Sequence, residues 1–130
     1  MIVSATSAAL RAGLGDEGAL TEDVRIVSMP WLMRLVVGRS VKAMTLGPAI
    51  FVKPTLFDRV VSGDEPALLL HELVHVAQWR DHGSIGFAYR YVTEYMRLRL
   101  LGADHDAAYH GVGFEHVAYD VAARWQNRAA

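Results

Sequence analysis

The hydrophobic rhythm of the chain changes near residue 62. Before that point, short apolar runs are cut at close intervals by turn residues. Val24 to Val27 is short and β-branched, and Pro30 closes it, so the pattern predicts a strand. Trp31 to Val37 is apolar on all sides and predicts a short helix ended by Gly38. Val41 to Leu46 and Ala49 to Val52 flank Gly47-Pro48, the layout of a β-hairpin whose second strand stops at Pro54. Upstream, Gly13-Leu14-Gly15-Asp16 reads as the end of an N-terminal helix.

The second half lengthens into helical runs. Ser62-Gly63-Asp64-Glu65-Pro66 offers an acidic or hydroxyl cap followed by proline in a first turn. No breaker interrupts Ala67 to His82, and Gly83 is placed as its C′ residue. Ser84 then caps a second helix through Leu101, with Gly102 as the stop and Arg90 and Glu94 four apart as an exposed pair. A loop passes through Gly111 and Gly113, and a last helix runs from about Phe114 to Trp125. Strands first and helices afterwards predict an α+β fold, with a small antiparallel hairpin sheet on the first long helix and two further helices beside it. At 130 residues this is the size of one domain, spanning 1–130.

Composition narrows the chemistry. With 52% hydrophobic residues and a mean hydropathy of +0.18, there is material for a substantial core. A net charge of −1 gives no overall basic field for nucleic acid or anionic lipid. The absence of cysteine excludes disulfides and thiolate metal sites, so any metal must be held by imidazole and carboxylate. Met1 to Leu14 lacks a basic region before its apolar stretch, and Ser4, Thr6, Ser7 and Arg11 interrupt that stretch, which makes a poor signal peptide. Apolar runs elsewhere are too short for a membrane span. The expectation is a cytoplasmic protein with neither nucleic-acid nor membrane partners.

The strongest motif is His71-Glu72-Leu73-Val74-His75, the pattern HExxH. Residues four apart on a helix lie on one face, so both imidazoles can reach one ion. Glu72 sits about a third of a turn from His71, beside that ion. There it can act as general base for a metal-bound water and pass the proton to a leaving amine. At this composition the pattern would arise by chance in roughly 1% of sequences, so the match carries weight. The alternative is a pair of core histidines with Glu72 in an ion pair, an expensive arrangement among leucines without a partner.

A third protein ligand must come from elsewhere. Asp81 lies six residues beyond His75, but on an unbroken helix it faces about 240° away. His82 returns to the right face about 10 Å too far along. Glu115, in the first turn of the last helix, is the better-placed carboxylate. Phe114, Val117, Ala118 and Val121 give that helix an apolar stripe, with Glu115 at its edge. Its alternative role is an ordinary first-turn charge favoured by the helix dipole. Tyr109 is the candidate oxyanion donor, with His110, Tyr91 and Tyr95 as alternatives. Gln78, three residues past His75, is placed to orient that imidazole. Asp104-His105-Asp106 sits at a helix break, where capping is the expected role.

The run from His71 to Trp79 resembles the HELxHxxQ segment of small bacterial gluzincin-like proteins. Among these are metallopeptidase domains associated with extracellular contractile injection systems. Met44-Thr45-Leu46-Gly47 with Ile50-Phe51-Val52, Phe87 to Tyr95, and Tyr109 to Tyr119 with its Phe-Glu-x-x-Ala core resemble the same group. The resemblance thus spans about residues 24 to 122. The minigluzincins are similar in size and layout. The chain departs from the thermolysin group in lacking its Asn-Glu-x-x-Ser-Asp signature.

The resemblance implies a zincin-like fold, a zinc cofactor on His71, His75 and Glu115, and a peptide or protein substrate hydrolysed with Glu72 as base. It also implies strand addition by the substrate along Val41 to Leu46 or Ala49 to Val52. The competing expectations are a catalytically inactive zincin-like scaffold or docking module, and a metal-free helical interaction domain.

Overall fold

The computed structural model describes residues 2–14, 23–38 and 41–129. Gly15 and Asp16, at the expected end of the first helix, lie outside these. The described part is α+β. Strand β1 (Ile2–Ser4) leads into α1 (Ala5–Ala12), which Gly13 ends in the left-handed conformation. Then come β2 (Arg25–Ser28), α2 (Trp31–Val37), β3 (Ala43–Leu46) and β4 (Ala49–Val52). Four helices follow: α3 (Pro54–Ser62), α4 (Pro66–Leu100), α5 (His105–Gly111) and α6 (Gly113–Ala129).

The expected hairpin is β3–β4, antiparallel, with Leu46 opposite Ala49 across the two-residue Gly47-Pro48 turn. Gly47 has φ 60, the positive value such a tight turn needs at its first central position. The sheet is larger than the hairpin. β2 joins β4 in parallel and β1 joins β2 antiparallel, giving the order β1-β2-β4-β3. β4 is therefore paired on both sides, whereas β3 keeps a free edge among the described residues. Of the two strands considered for substrate pairing, only β3 has backbone groups to offer.

Three local expectations need correction. Pro54 not only ends a strand but opens α3, because proline fits a first helical turn. Ser62 to Glu65 serve the end of α3 and give α4 no side-chain cap. Gly63 is left-handed, its N–H and that of Asp64 return to α3 carbonyls, and the Ser62 hydroxyl donates to Asp64. The stretch read as a loop holds α5, whose start is fixed by Asp104: its carboxylate accepts from the Ala107 N–H at 2.8 Å.

Two apolar clusters hold these elements. The larger joins α1, the sheet and α3 to the first half of α4 through Ala8, Ile26, Ile50, Val60, Leu70 and Leu73. The smaller is aromatic: Phe87 stacks on Phe114 at 4.6 Å and on Trp79 at 4.5 Å. On a straight helix Trp79 and Phe87 would stand about 12 Å apart along the axis. They meet because α4 is two helical segments joined at Gly83, whose φ 72 and ψ 163 are not helical. The first segment stops at Gly83 as expected, and the kink there turns Phe87, Tyr91 and Tyr95 back over the first half of α4.

That backbone conformation is essentially open to glycine alone, and a Cβ at Gly83 would meet no atom within 4 Å. Gly83→Ala should therefore cost about 1–3 kcal/mol of stability through backbone strain alone. Gly86→Ala, inside helical backbone with only an ordinary contact to His82, should gain about 0.5–1 kcal/mol. Urea denaturation of the two variants checks the opposite signs.

Candidate metal centre

His71 and His75 lie one turn apart on the first half of α4, both buried, at 6% and 5% exposure. Glu115 comes from α6 and is 3% exposed. Its Oε1 lies 3.0 Å from His71 Nε2 and 2.9 Å from His75 Nε2, and the two nitrogens are 3.2 Å apart. These three residues form a group that could hold a metal ion.

The hydrogen-bond network fixes one tautomer. Gln78 Nε2 donates to the Phe114 carbonyl at 3.0 Å, so the Gln78 Oε1 faces His75. His75 Nδ1 then donates its proton to that oxygen, at 2.8 Å. His75 Nε2 then faces the Glu115 carboxylate oxygen at 2.9 Å, where a protonated imidazole donates to that oxygen and a neutral one turns an electron pair toward a cation. A metal ion held by all three residues would take an electron pair from each.

Charge balance follows the same lines. Burial alone would lift the Glu115 carboxyl. Hydrogen bonds from His71 and His75, with a further one from Tyr91, instead hold it well below the usual carboxylate range. Burial pulls the His75 imidazole down, but bonding to Glu115 outweighs that and raises it. Glu72, 4% exposed, is raised by burial, against the pull of His75, His71 and the Thr45 hydroxyl.

The surrounding side chains hold this geometry. The Tyr91 hydroxyl donates to Glu115 Oε2 at 2.8 Å, which turns Oε1 toward the imidazoles. Thr45, buried on β3, donates to Glu72 Oε2 at 2.7 Å, so the edge strand grips this carboxylate. The Tyr119 ring packs edge-on against His71, with centroids 4.4 Å apart. A cleft of about 610 Å³ opens on His71 and Glu72. Val41, Lys42 and Ala43 form one wall, and Tyr109, His110 and Tyr119 another. Tyr109 stands close enough to Glu115 that burial and this carboxylate together push its phenol upward.

The fold thus brings His71, His75, Glu72, Glu115 and Tyr109 to one place, with Gln78 and Tyr91 beside them. Asp81 and His82 stay outside, both exposed, and the His82 ring lies against Phe114. Asp104 caps α5 and His105 Nδ1 pairs with the Tyr95 hydroxyl, so neither joins the group. Of the stripe expected on α6, Phe114 and Ala118 are buried and Val121 packs against the core, but Val117 is exposed, and Glu115 and Ala122 join the inward face. Glu115 belongs to that face because the imidazoles offset the cost of its burial. Thr45 and Tyr119 were given no role by the sequence. Tyr119 could have been found as the residue one turn past Glu115, and Thr45 as the one hydroxyl on the inward side of the edge strand.

A family model described as the eCIS core domain matches residues 4–83. The match ends at the α4 hinge, so it includes His71, Glu72 and His75 and stops short of Glu115. No curated protein and no solved structure matches the chain.

If the three residues hold a metal together, the purified protein should take up about one divalent ion. His71→Ala, His75→Ala and Glu115→Ala should each lose it, and Asp81→Ala and His82→Ala should retain it. Tyr91→Phe and Gln78→Ala, which remove only supporting bonds, should weaken affinity about 10–100-fold. Competition against a chromophoric chelator measures each case.

Proposed function

The chain belongs to the eCIS core domain family, named for extracellular contractile injection systems, and we propose that it is a zinc-dependent peptidase. The observation that carries this reading is the meeting of His71 Nε2, His75 Nε2 and Glu115 Oε1 within 3.2 Å of one another, with Glu72 adjoining them. Two imidazole nitrogens and one carboxylate oxygen, with no thiolate, are the donor set of catalytic rather than structural zinc. The edges of a zinc tetrahedron measure about 3.3 Å, and the three separations here are within a few tenths of that. Zinc held there would polarise a substrate carbonyl and acidify a water molecule.

The chain's own residues supply the rest. Glu72 takes the proton of the attacking water and delivers it to the leaving amine. Thr45 keeps that carboxylate aimed while the β3 backbone beyond it stays free to pair with an extended peptide. An edge-bound peptide lies along Val41 to Ala43, over the cleft that reaches His71 and Glu72. Tyr109, on the opposite wall, is the donor for the developing oxyanion, and its raised pKa keeps the phenol protonated for that task. The competing reading is a metal-bearing docking module without activity. A purely structural site would be closed by a fourth protein ligand, and among the described residues the group has three.

Glu72→Gln should bind metal as the wild type does and lose peptidase activity by at least about 10³-fold on any peptide the wild type cleaves. Thr45→Val should lower turnover about tenfold or more with metal content unchanged, and Thr45→Ser should restore it. Screening against a degenerate peptide library, read by mass spectrometry, gives the comparison. Equal cleavage by wild type and Glu72→Gln would remove the mechanism, and no cleavage by wild type would favour the docking module.

A further inference from the structure

Helix α2 stands apart from the body of the protein. None of its residues is buried. Trp31, Leu32, Leu35 and Val36 are 67%, 60%, 73% and 86% exposed, and at helical spacing they share one outward arc about 140° wide. Four large apolar side chains on seven residues are far more than a solvated connection between strands requires.

The charge of the segment that carries this helix is one-sided. The net charge of −1 conceals an asymmetry along the chain: Val24 to Phe57 holds five of the thirteen basic residues and none of the fourteen acidic ones. The topology gathers three of them at one end of the sheet. β2 and β4 run parallel and finish together, and the Met29 N–H donates to the Val52 carbonyl there. β3 starts at the same end, where the Lys53 N–H donates to the Lys42 carbonyl at 2.9 Å. Arg34 of α2 and Lys53 line the shallow groove beneath Trp31 and Leu35.

We propose that this end of the sheet docks on an anionic membrane surface, with α2 lying in the headgroup layer and Arg34, Lys42 and Lys53 facing the lipid phosphates. A tryptophan and branched aliphatics on one face, with cations beside them, is the composition of a helix that rests in the interface. Tryptophan favours the boundary between headgroups and acyl chains. A seven-residue helix cannot cross a bilayer, and among the described residues no helix is long and apolar enough to do so, so the contact is superficial. The charge asymmetry selects an acidic surface over a neutral one. Val41 and Lys42 also line the cleft, so docking would set the cleft mouth beside the bilayer. The inference stands independently of the proposed peptidase activity.

The test is co-sedimentation of the whole chain with phosphatidylcholine vesicles, with and without phosphatidylserine. Binding should be at least about tenfold tighter with phosphatidylserine at low salt, and that preference should fall as salt rises. Leu35→Glu should lose binding at least about tenfold. Lys42→Glu should reduce the phosphatidylserine preference and leave the weak affinity for phosphatidylcholine in place. Ile85→Glu, on an apolar site of α4 that is also exposed, should bind like wild type, and circular dichroism should show every variant folded. Vesicles should shift tryptophan emission to the blue in wild type and not in Trp31→Phe. Absence of vesicle binding, or binding unchanged in Leu35→Glu, would overturn the proposal. So would a wild-type dimer that Leu35→Glu converts to monomer without any vesicle binding, since α2 would then be an interface between copies.

Discussion

One carboxylate oxygen, Glu115 Oε1, must sit within 3.0 Å of two imidazole nitrogens carried by a different helix. Much of the architecture can be understood as the means of meeting that demand. His71 and His75 are fixed by burial of the first half of α4 against the sheet. Glu115 has to be delivered to them from 40 residues away in sequence. The aromatic stack of Trp79, Phe87 and Phe114 supplies the delivery, because it clamps α6 against both halves of α4. That stack forms only if α4 changes direction, and the change falls on the one residue type that tolerates the required backbone angles.

Gln78 links the two supports. Its amide bonds the imidazole of His75 on one side and the backbone of α6 on the other. A shift of α6 therefore disturbs both the position of Glu115 and the tautomer of His75. Tyr91, carried across the hinge, fixes the outer oxygen of the same carboxylate. His75 and Glu115 are thus each held by packing and by a hydrogen bond at the atom facing away from the site, the arrangement that keeps a polar group ordered in a dry interior, while the His71 ring rests against Tyr119. On the sheet side, Thr45 binds Glu72 in the same way, so the strand with the free edge and the candidate base are mechanically joined.

The polar demands of the site and the apolar demands of the fold meet on opposite faces of α4. Leu69, Leu70 and Leu73 anchor one side in the larger core, and His71, Glu72 and His75 occupy the other. The family match ends at Gly83, so it covers β2, β3, β4 and the HExxH half of α4 but not the elements that bring Glu115 and Tyr91. The site is assembled from both sides of that boundary.

Much of this was open to reading in the sequence, where the information is local. The β-hairpin follows from two apolar runs around Gly47-Pro48, and the helix bearing His71 and His75 from an unbroken run after Pro66. Placing both imidazoles on one face needs nothing beyond helical periodicity. The elimination of Asp81 was equally local, a matter of angle along one helix. What the sequence could not fix was orientation between elements. The stop at Gly83 is local, but the direction in which the second segment leaves it depends on contacts that Phe87 and Phe114 make only after α6 has packed. Hydrophobicity puts Val117 in the inward stripe of α6 and Glu115 at its edge, whereas the fold exposes Val117 and buries Glu115. Only the tertiary fold, by bringing two imidazoles to that carboxylate, made its burial favourable. The sheet shows the same division. Pairing within the hairpin is set by a two-residue turn, but the parallel pairing of β2 with β4, which leaves β3 as the free edge, is a long-range choice made by the core as a whole.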